Sequence, residues 1–241
     1  MTGIISPGGS LATAGRAHVI VANINSPELT EDDRHHVQRV LRIKPHEVVT
    51  ATDGRGSWCA CRLVLGELVQ EGDVVSEAQP MPSLAVGFPL LKVDRPEWIV
   101  QKLTEVGIDR IVILDTERSV VKPPADRMAR QIERFRRIAR EACMQSRRAW
   151  MPTIEGPILP ADGALRSGAA LADYGGGLLS PETTFLMVAP EGGWSSSERS
   201  LTLPKVTLGA TILRSETGAL IAGALLVALR TGVVNWSHPE N

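Results

Sequence analysis

From residue 84 onward, short apolar runs alternate with segments of helical periodicity. The runs are LAVGFPLL at 84–91, RIVIL at 110–114, FLMVA at 185–189 and KVTLG at 205–209, and the helical patterns cover 95–106, 126–148 and about 216–230. Continuous apolar runs bounded by charge are typical of strands buried on both faces. Strands that alternate with helices predict an α/β domain with a mainly parallel sheet.

Residues 17–78 predict a different structure, with several short strands and one helix. The strand candidates are AHVIVAN, EVVTA, SWCACRLVL and DVVSEAQ, with a turn at Asp53-Gly54. This pattern favours a small β-barrel. The helix begins at Thr30 as its cap, carries Val37, Val40 and Leu41, and stops before Pro45. The break at Pro80-Met81-Pro82 then divides the chain into two domains, 1–79 and 80–241.

Composition excludes several classes of protein. The 241 residues are 43% hydrophobic and 22% charged, which is ordinary for a globular chain and not for a disordered one. No apolar run approaches the roughly 18 residues of a membrane span, and the first residues do not resemble a signal peptide. Three cysteines without a CxxC pair predict neither a disulfide framework nor a metal site. We therefore expect a cytoplasmic protein without membrane contact.

Basic residues are clustered although the net charge is only −1. The segment 127–148 holds eight Arg against Glu133 and Glu141, and four of them form one helix face opposite the apolar face: Arg127, Arg130, Arg134 and Arg137. This face is either solvated or a stripe that contacts phosphates. A second patch, without any acid in 34–44, consists of Arg34, His36, Arg39, Arg42 and Lys44. Two separate patches favour RNA as a partner.

Two loops near the carboxyl end combine glycine with polar residues. The first, APEGGWSSSE at 189–198, follows a predicted buried strand and leads into a capping box of Ser195 and Glu198. A glycine-rich loop between strand and helix is where α/β proteins place small ligands, although a Gly-Gly pair is more often only a turn.

The second loop, LGATILRSETGAL at 208–220, opens a helix that is apolar on nearly every side. We expect Ser215 to be its N-cap and Glu216 to interact favourably with the helix dipole. Arg214 then lies at the positive end of the helix, where a cation is disfavoured, which indicates a role in a site. The apolar helix is predicted to be buried in the domain or in a subunit contact.

Seven ordered segments carry a resemblance to a known family. They are RHHVQRVLRIKPHE, DGRG, LKVDRPEWIVQKLTEVGIDRI, ERSVVK, RIAREACMQSRR, APEGGWSSSE and LGATILRSETGAL, and they span nearly the whole chain. The chain resembles the RsmE family, the 16S rRNA uracil-N3 methyltransferases of the SPOUT superfamily. The resemblance implies a PUA-like β-barrel for RNA in 1–79, a SPOUT α/β domain with a C-terminal trefoil knot in 80–241, and a homodimer.

The resemblance also implies a cofactor, S-adenosyl-L-methionine, held by the two loops. Carried over residue by residue, its binding positions are Val188, Ala189, Glu191, Gly192, Gly193, Leu208, Gly209, Ile212, Leu213 and Thr217. No metal is implied. RNA contacts are expected from the second basic patch and from Arg95, Arg118 and Arg148. The chain departs from the family pattern at Ala189, at Thr211, and at Met144 and Arg147 within the segment 137–148.

The implied reaction is methylation of N3 of one uridine (uridine 1498 in the family's naming) in the 16S rRNA of the small ribosomal subunit. Neutral uracil carries a proton on N3, so the site must remove it or stabilise the resulting anion. Arg214 is the candidate for stabilising the anion, and Glu191 or Glu216 for accepting the proton. Two alternatives remain open: a SPOUT ribose 2′-O-methyltransferase, and a ribosome-binding factor without catalysis.

Overall fold

The computed structural model describes residues 11, 14–35, 37, 43–44, 46–92 and 95–235. It divides into two compact units. Unit 1 comprises Met1–Gln79 together with Arg140–Met151, and unit 2 comprises Pro80–Ala139 together with Pro152–Asn241. The first division falls at the predicted break, whereas the placement of Arg140–Met151 in unit 1 differs from the expected continuous range of 80–241.

Unit 1 is built on a five-stranded sheet. Its strands are β1 (Ala17–Ile20), β2 (Val48–Thr52), β3 (Ser57–Val64), β4 (Glu67–Gln70) and β5 (Val75–Ser76), in the order β1-β2-β3-β4 with β5 also paired to β3. The β1–β2 pair is parallel and the others are antiparallel. Alternate residues of β3, including Cys59, Cys61 and Leu63, are buried in one apolar cluster, as expected for a strand with one covered face.

A short helix, α1 (Glu31–His35), precedes β2. The Thr30 hydroxyl accepts from the Asp33 backbone N–H at 3.2 Å, so Thr30 caps this helix as the sequence predicts. Val37 is buried, while Val40, Leu41 and Pro45 lie outside the described residues, so the predicted extent of the helix stays a prediction.

The segment Arg140–Met151 is fastened to the rest of unit 1 by backbone and side-chain hydrogen bonds. Gly56 N–H donates to the Ala149 carbonyl, and Met151 N–H donates to the Gly54 carbonyl, both at 2.9 Å. Arg140 donates to both carboxylate oxygens of buried Asp33, at 2.9 and 2.6 Å. These contacts explain why the segment belongs to unit 1 although it is distant in sequence.

Unit 2 contains a six-stranded sheet in which every pairing is parallel, as the apolar runs predict. The order is β11-β9-β10-β6-β7-β8, and the strands are β6 (Ala85–Pro89), β7 (Arg110–Leu114), β8 (Thr153–Ile158), β9 (Ala169–Gly177), β10 (Phe185–Val188) and β11 (Lys205–Val206). The helices that begin in this unit are α2 (Arg95–Val106), α3 (Ala125–Ser146), α4 (Pro160–Ala164), α5 (Ser196–Arg199) and α6 (Ser215–Thr231).

The apolar face predicted for the long helix is confirmed. In α3, Phe135 and Ala139 are fully buried in the core that the helices form with the sheet, and Met128 and Ile132 pack against it from partly buried positions. The four stripe arginines are exposed. Two of them are engaged in ion pairs: Arg130 with Asp126 at 2.7 Å and Arg134 with Glu97 at 2.8 Å.

Four elements, β4, β8, β9 and α4, are not predicted from the sequence. The strand β9 has the sequence AALADYGGG, whose small residues and glycines are poor strand formers when taken locally. Its inclusion in the sheet comes from pairing on both sides, with β10 and β11. Among the described residues, no helix combines the length and hydropathy that crossing a membrane requires.

Candidate active site

A cavity of about 270 Å³ in unit 2 lies where β10 and β11 end, beside the middle of β9. Its walls come from the middle of β9, from the loops that follow β10 and β11, and from the first turns of α6. Ligands of open parallel sheets bind outside the carboxyl ends of the strands. The two glycine-bearing loops of the sequence therefore border one cavity, at the place where a small ligand is expected.

Hydrogen bonds to β9 and α5 fix the shape of the first loop. Trp194 is almost fully buried, and its indole N–H donates to the Ala172 carbonyl of β9 at 2.9 Å. The predicted capping box is confirmed: the Ser195 hydroxyl accepts from Glu198 N–H, and the Glu198 carboxylate accepts from Ser195 N–H. The loop is thus anchored on one side to β9 and on the other to α5.

The second loop ends at α6, whose cap differs from the prediction. Arg214 has extended backbone angles and is the N-cap, without a side-chain capping bond, and Ser215 is the first helical residue. The expectation that Ser215 caps the helix is wrong because its hydroxyl is used elsewhere: it donates to the Ala189 carbonyl at 2.8 Å. Glu216 lies in the first turn as predicted, and Arg214 at the positive end.

Arg95 links the two loops through their acids. Its guanidinium lies 3.2 Å from a carboxylate oxygen of Glu191 and 3.5 Å from one of Glu216. The other oxygen of Glu216 is buried and has no hydrogen-bond partner among the described residues. Arg118 donates to the Gly192 carbonyl at 2.9 Å. Two of the arginines expected at RNA therefore also support the first loop.

A second set of charged contacts surrounds α5. The Ser197 hydroxyl donates to the Glu117 carboxylate, and this hydrogen bond lowers the pKa of Glu117 below its usual value. Arg199 pairs with Asp173 of β9 at 3.0 Å. Both Asp173 and Arg199 line the cavity, so this ion pair forms part of its polar wall.

Most of the predicted cofactor positions line this cavity. These are Val188, Ala189, Glu191, Gly193, Leu208, Gly209, Ile212 and Leu213, and Arg214 joins them. Gly192, Glu216 and Thr217 are not among the lining residues, although each is the neighbour in sequence of a lining residue. Of the two candidate acids, Glu191 is therefore the one that borders the cavity.

Sequence reasoning misses one wall of the cavity. Ala172, Asp173 and Tyr174 come from β9, and Thr207 from the end of β11. Because β9 is not predicted from the sequence, no signal placed Asp173 near the loops. Asp173 lies in the middle of β9, after the apolar run AALA, and is level with the end of β10 because Ala172 pairs with Val188.

The cavity has the chemistry of a nucleoside-type site. Val188, Leu208, Ile212 and Leu213 supply apolar surface, and Ile212 remains 84% exposed, which is unusual for isoleucine without a covering group. A Cβ added to Gly209 would have no atom within 4 Å, so there is room for a ligand against the backbone there. An adenine ring between apolar side chains and backbone polar groups fits this arrangement.

The predicted RNA contacts of unit 1 are only partly described. Arg34 pairs with Glu67 at 2.9 Å, and Lys44 is exposed. The Arg148 backbone carbonyl accepts from His18 Nε2 at 3.2 Å. His36, Arg39 and Arg42 lie outside the described residues. The patch therefore stays a prediction.

One departure from the family pattern has a structural explanation. Arg147, at a position where the resemblance to the family implies glycine, adopts a left-handed φ of 54°, a conformation that favours glycine. Its guanidinium donates to the carbonyls of Ala14 and, at 2.9 Å, of Gly15. These charged hydrogen bonds offset the backbone strain and attach the segment to the start of unit 1.

Comparison with known proteins gives two family matches. The RNA methyltransferase domain model matches residues 77–227, and the RNA methyltransferase PUA domain model matches residues 29–65. A "Ribosomal RNA small subunit methyltransferase E" of Synechocystis sp. is 32% identical over 228 residues, which cover 83% of this chain and 72% of the relative. The protein of the same description from Bacillus subtilis is 26% identical, with coverage of 80% and 86%.

Solved structures agree with these matches. A ribosomal RNA small subunit methyltransferase E from Neisseria gonorrhoeae, bound to S-adenosyl methionine, superposes with a TM-score of 0.74 at 25% identity and covers 88% of this chain and 97% of that one. A probable rRNA-methyltransferase from Porphyromonas gingivalis gives a TM-score of 0.75 at 25% identity, with coverage of 90% and 100%.

Proposed function

Because the chain belongs to the ribosomal RNA small subunit methyltransferase E family, we propose that it methylates N3 of one uridine in 16S rRNA, uridine 1498 in the family's naming. The methyl donor is S-adenosylmethionine. The observation that carries this proposal is the single cavity bordered by residues 188–193 and 207–215. When bound there, S-adenosylmethionine supplies a methyl group on a positively charged sulfur that a nucleophile attacks in line.

The residues that line the cavity would hold the cofactor. Leu208, Ile212 and Leu213 would form the apolar slot for adenine, and the backbone of the same loop would provide hydrogen-bonding groups. The loop of Ala189–Gly193 borders the other part of the cavity and would receive the polar amino-acid end. The hydrogen bond from Ser215 to Ala189 keeps the two loops at a fixed separation.

Arg214 and Glu191 are the residues that activate N3 of uracil, which is a weak nucleophile while it carries its proton. Loss of the N3 proton places negative charge on O2 and O4 of the base, and the Arg214 guanidinium at the cavity stabilises that charge. Glu191, also at the cavity, accepts the proton. Glu216 acts indirectly, since it is not among the residues that line the cavity and shares Arg95 with Glu191.

The base must be unpaired or extruded, because N3 lies on the edge that pairing blocks. We propose that the domain of residues 1–79, which contains the PUA match, binds the surrounding RNA. Arg34, His36, Arg39, Arg42, Lys44, Arg95, Arg118 and Arg148 are the candidate contacts. The enzyme would act in the cytoplasm on the small subunit or its rRNA.

We also propose two further properties that the resemblance to the family implies. One is a trefoil knot in the C-terminal part of residues 80–241. The other is a homodimer, which is supported by helix α6: its side chains at Ile221, Leu225 and Ala228 are apolar but only half-buried in the single chain. Apolar side chains left on the surface of a helix are typical of a subunit contact.

The decisive experiment uses small ribosomal subunits purified from a strain that lacks this protein. The protein and S-adenosylmethionine with a labelled methyl group are added, and the nucleosides are analysed by mass spectrometry. The proposal predicts label in 3-methyluridine at one position. Label in a 2′-O-methylated nucleoside would identify the ribose methyltransferase alternative, and absence of transfer would favour the non-catalytic factor.

A further inference from the structure

Unit 2 has a second cavity, of about 480 Å³, that shares no lining residue with the first. It lies where β6 and β7 end, so it occupies another part of the same sheet edge. Its walls come from residues 90–92, from residues 120–124 and from the first turns of α2 and α3. The volume is within the roughly 300–1,000 Å³ of small-molecule sites.

The lining of this second cavity combines apolar surface with positive charge. Seven apolar residues line it: Leu90, Leu91, Pro96, Val120, Val121, Pro123 and Pro124. Val120 is 68% exposed, so a large apolar side chain is left uncovered. The charged lining residues are Lys92, Lys122 and Arg127, and no carboxylate is among the described residues that line the cavity. An apolar wall beside cations matches a ligand that has a flat base and a phosphate.

Two of these cations are unpaired in the described structure. Lys122 is bonded to Asp115 at 2.8 Å, but Lys92 and Arg127 have no ion pair with any described residue. Arg127 differs in this respect from Arg130 and Arg134 of the same helix, which are paired. Of these three arginines of α3, Arg127 is the one that lines the second cavity. An anionic ligand would supply the missing counter-charge.

The segment between β7 and α3 connects the two cavities. Arg118 donates to the Gly192 carbonyl in the loop of the first cavity, and four residues later Lys122 lines the second. The Glu117 backbone N–H donates to Glu198 of α5 at 2.8 Å, which fixes the start of this segment. A polymer with one unit at the mouth of the cofactor cavity and a nearby unit in the second cavity would therefore lie along residues 117–122.

We propose that the second cavity binds an unpaired nucleotide of the RNA substrate that lies near the target uridine along the RNA chain. Its base packs on Val120 and the neighbouring apolar residues, and its phosphates contact Lys92 and Arg127. This inference rests on the proposed function, since it requires RNA as substrate. It adds a binding site separate from the cofactor cavity and outside the PUA match.

Salt dependence of RNA binding tests the phosphate contacts. The probe is a short oligouridylate with a fluorescein label, and its affinity for the full chain is measured by anisotropy at several salt concentrations. Each phosphate contact on a single strand contributes about −0.7 to the slope of log K against log salt. The double variant Lys92→Ala/Arg127→Ala should lower the steepness by about 1.4 and weaken binding about tenfold at 0.15 M salt.

Arg130→Ala is the matched control, since Arg130 lies on the same helix, is paired with Asp126 and does not line the cavity. We expect its slope to be unchanged. An equal slope for the double variant and the wild type, or no measurable binding by the wild type, would overturn the proposal.

A second variant tests the apolar wall. Val120→Trp fills the cavity and should weaken binding of the oligouridylate, while calorimetry gives an unchanged affinity for S-adenosylmethionine. If it instead alters the oligomeric state in sedimentation and leaves RNA binding intact, the cavity is a contact between copies of the chain and the proposal fails. If the wild type binds RNA through this cavity but transfers no methyl group, the proposed function fails and this binding site stands.

Discussion

The Ser215 hydroxyl donates a 2.8 Å hydrogen bond to the carbonyl of Ala189. Ser215 begins α6, and Ala189 follows β10, so this bond joins the two loops that border the cofactor cavity. A serine in the first turn of a helix often serves as its cap. Here the chain uses that hydroxyl to set the distance between two binding loops, and the helix start is left with the uncapped Arg214.

Replacing Ser215 with alanine should therefore weaken cofactor binding more than it weakens the fold. Loss of one buried hydrogen bond costs about 1 kcal/mol and leaves the Ala189 carbonyl without this donor. We expect the dissociation constant for S-adenosylmethionine to rise about fivefold in calorimetry. The control is Ser196→Ala, an exposed position in α5. Equal affinities of wild type and Ser215→Ala would show that the bond does not set the cavity.

Replacing Arg95 separates positioning from RNA contact. Arg95→Ala removes the cation shared by Glu191 and Glu216, so both carboxylates lose their fixed orientation. If Arg95 positions Glu191, kcat for methyl transfer should fall about tenfold with little change in the KM for rRNA, and Arg95→Lys should recover part of it. A rise in KM with unchanged kcat would instead show that Arg95 contacts the RNA.

Arg214→Ala should abolish turnover while cofactor binding survives. Removal of a group that stabilises a developing anion typically costs about 10²–10³ in kcat. Arg214 makes no capping hydrogen bond through its side chain, so the helix does not depend on it. We expect the affinity for S-adenosylmethionine, measured by calorimetry, to change less than about threefold. Parallel loss of binding and turnover would show a structural role.

His18 makes the stability of unit 1 depend on pH. Burial lowers its pKa to about 4, from an ordinary value of 6.5. Its Nε2–H donates to the Arg148 carbonyl, which can only accept, and its Nδ1 lies 2.8 Å from the Thr50 hydroxyl. Burial is the largest cause of the lowered pKa and Arg147 adds to it, whereas the hydrogen bond to the Arg148 carbonyl acts in the opposite direction.

Between pH 6.5 and 4, His18 is therefore protonated in the unfolded chain and neutral in the folded chain. Stability should fall as the pH is lowered through this window, by up to about 3 kcal/mol. Urea unfolding at several pH values should show this loss in the wild type and in His35→Gln, whose position is exposed, and a smaller loss in His18→Gln. Identical profiles for all three would contradict the assignment.

The sequence predicts best those helices and strands whose own pattern of apolar residues marks them as buried. RIVIL is β7, and the helix expected at 95–106 is α2 with the same bounds. The strand β9 escapes prediction because its small residues and glycines are recruited by pairing with two neighbours. Asp173 and Tyr174 of this strand, which form part of the cavity wall, are therefore not predicted as site residues either.

The sequence also does not predict that Arg140–Met151 belongs to unit 1. Periodicity identifies the buried face of a helix but not the element that covers it, and α3 shows one continuous apolar face to its end. The contacts that decide the matter join distant residues, as in the pair of Arg140 with Asp33. The two candidate loops were found from the sequence because glycine, a capping box and an out-of-place arginine are local signals.

The central claim is that the loops after β10 and β11 form one site for S-adenosylmethionine, and a calorimetric titration of that cofactor into the full chain tests it most directly. The account predicts one molecule bound per chain with micromolar affinity, loss of binding in Leu213→Arg, and normal binding in Leu178→Arg, whose exposed side chain does not line the cavity. No heat of binding in the wild type, or equal affinity in both variants, would contradict it.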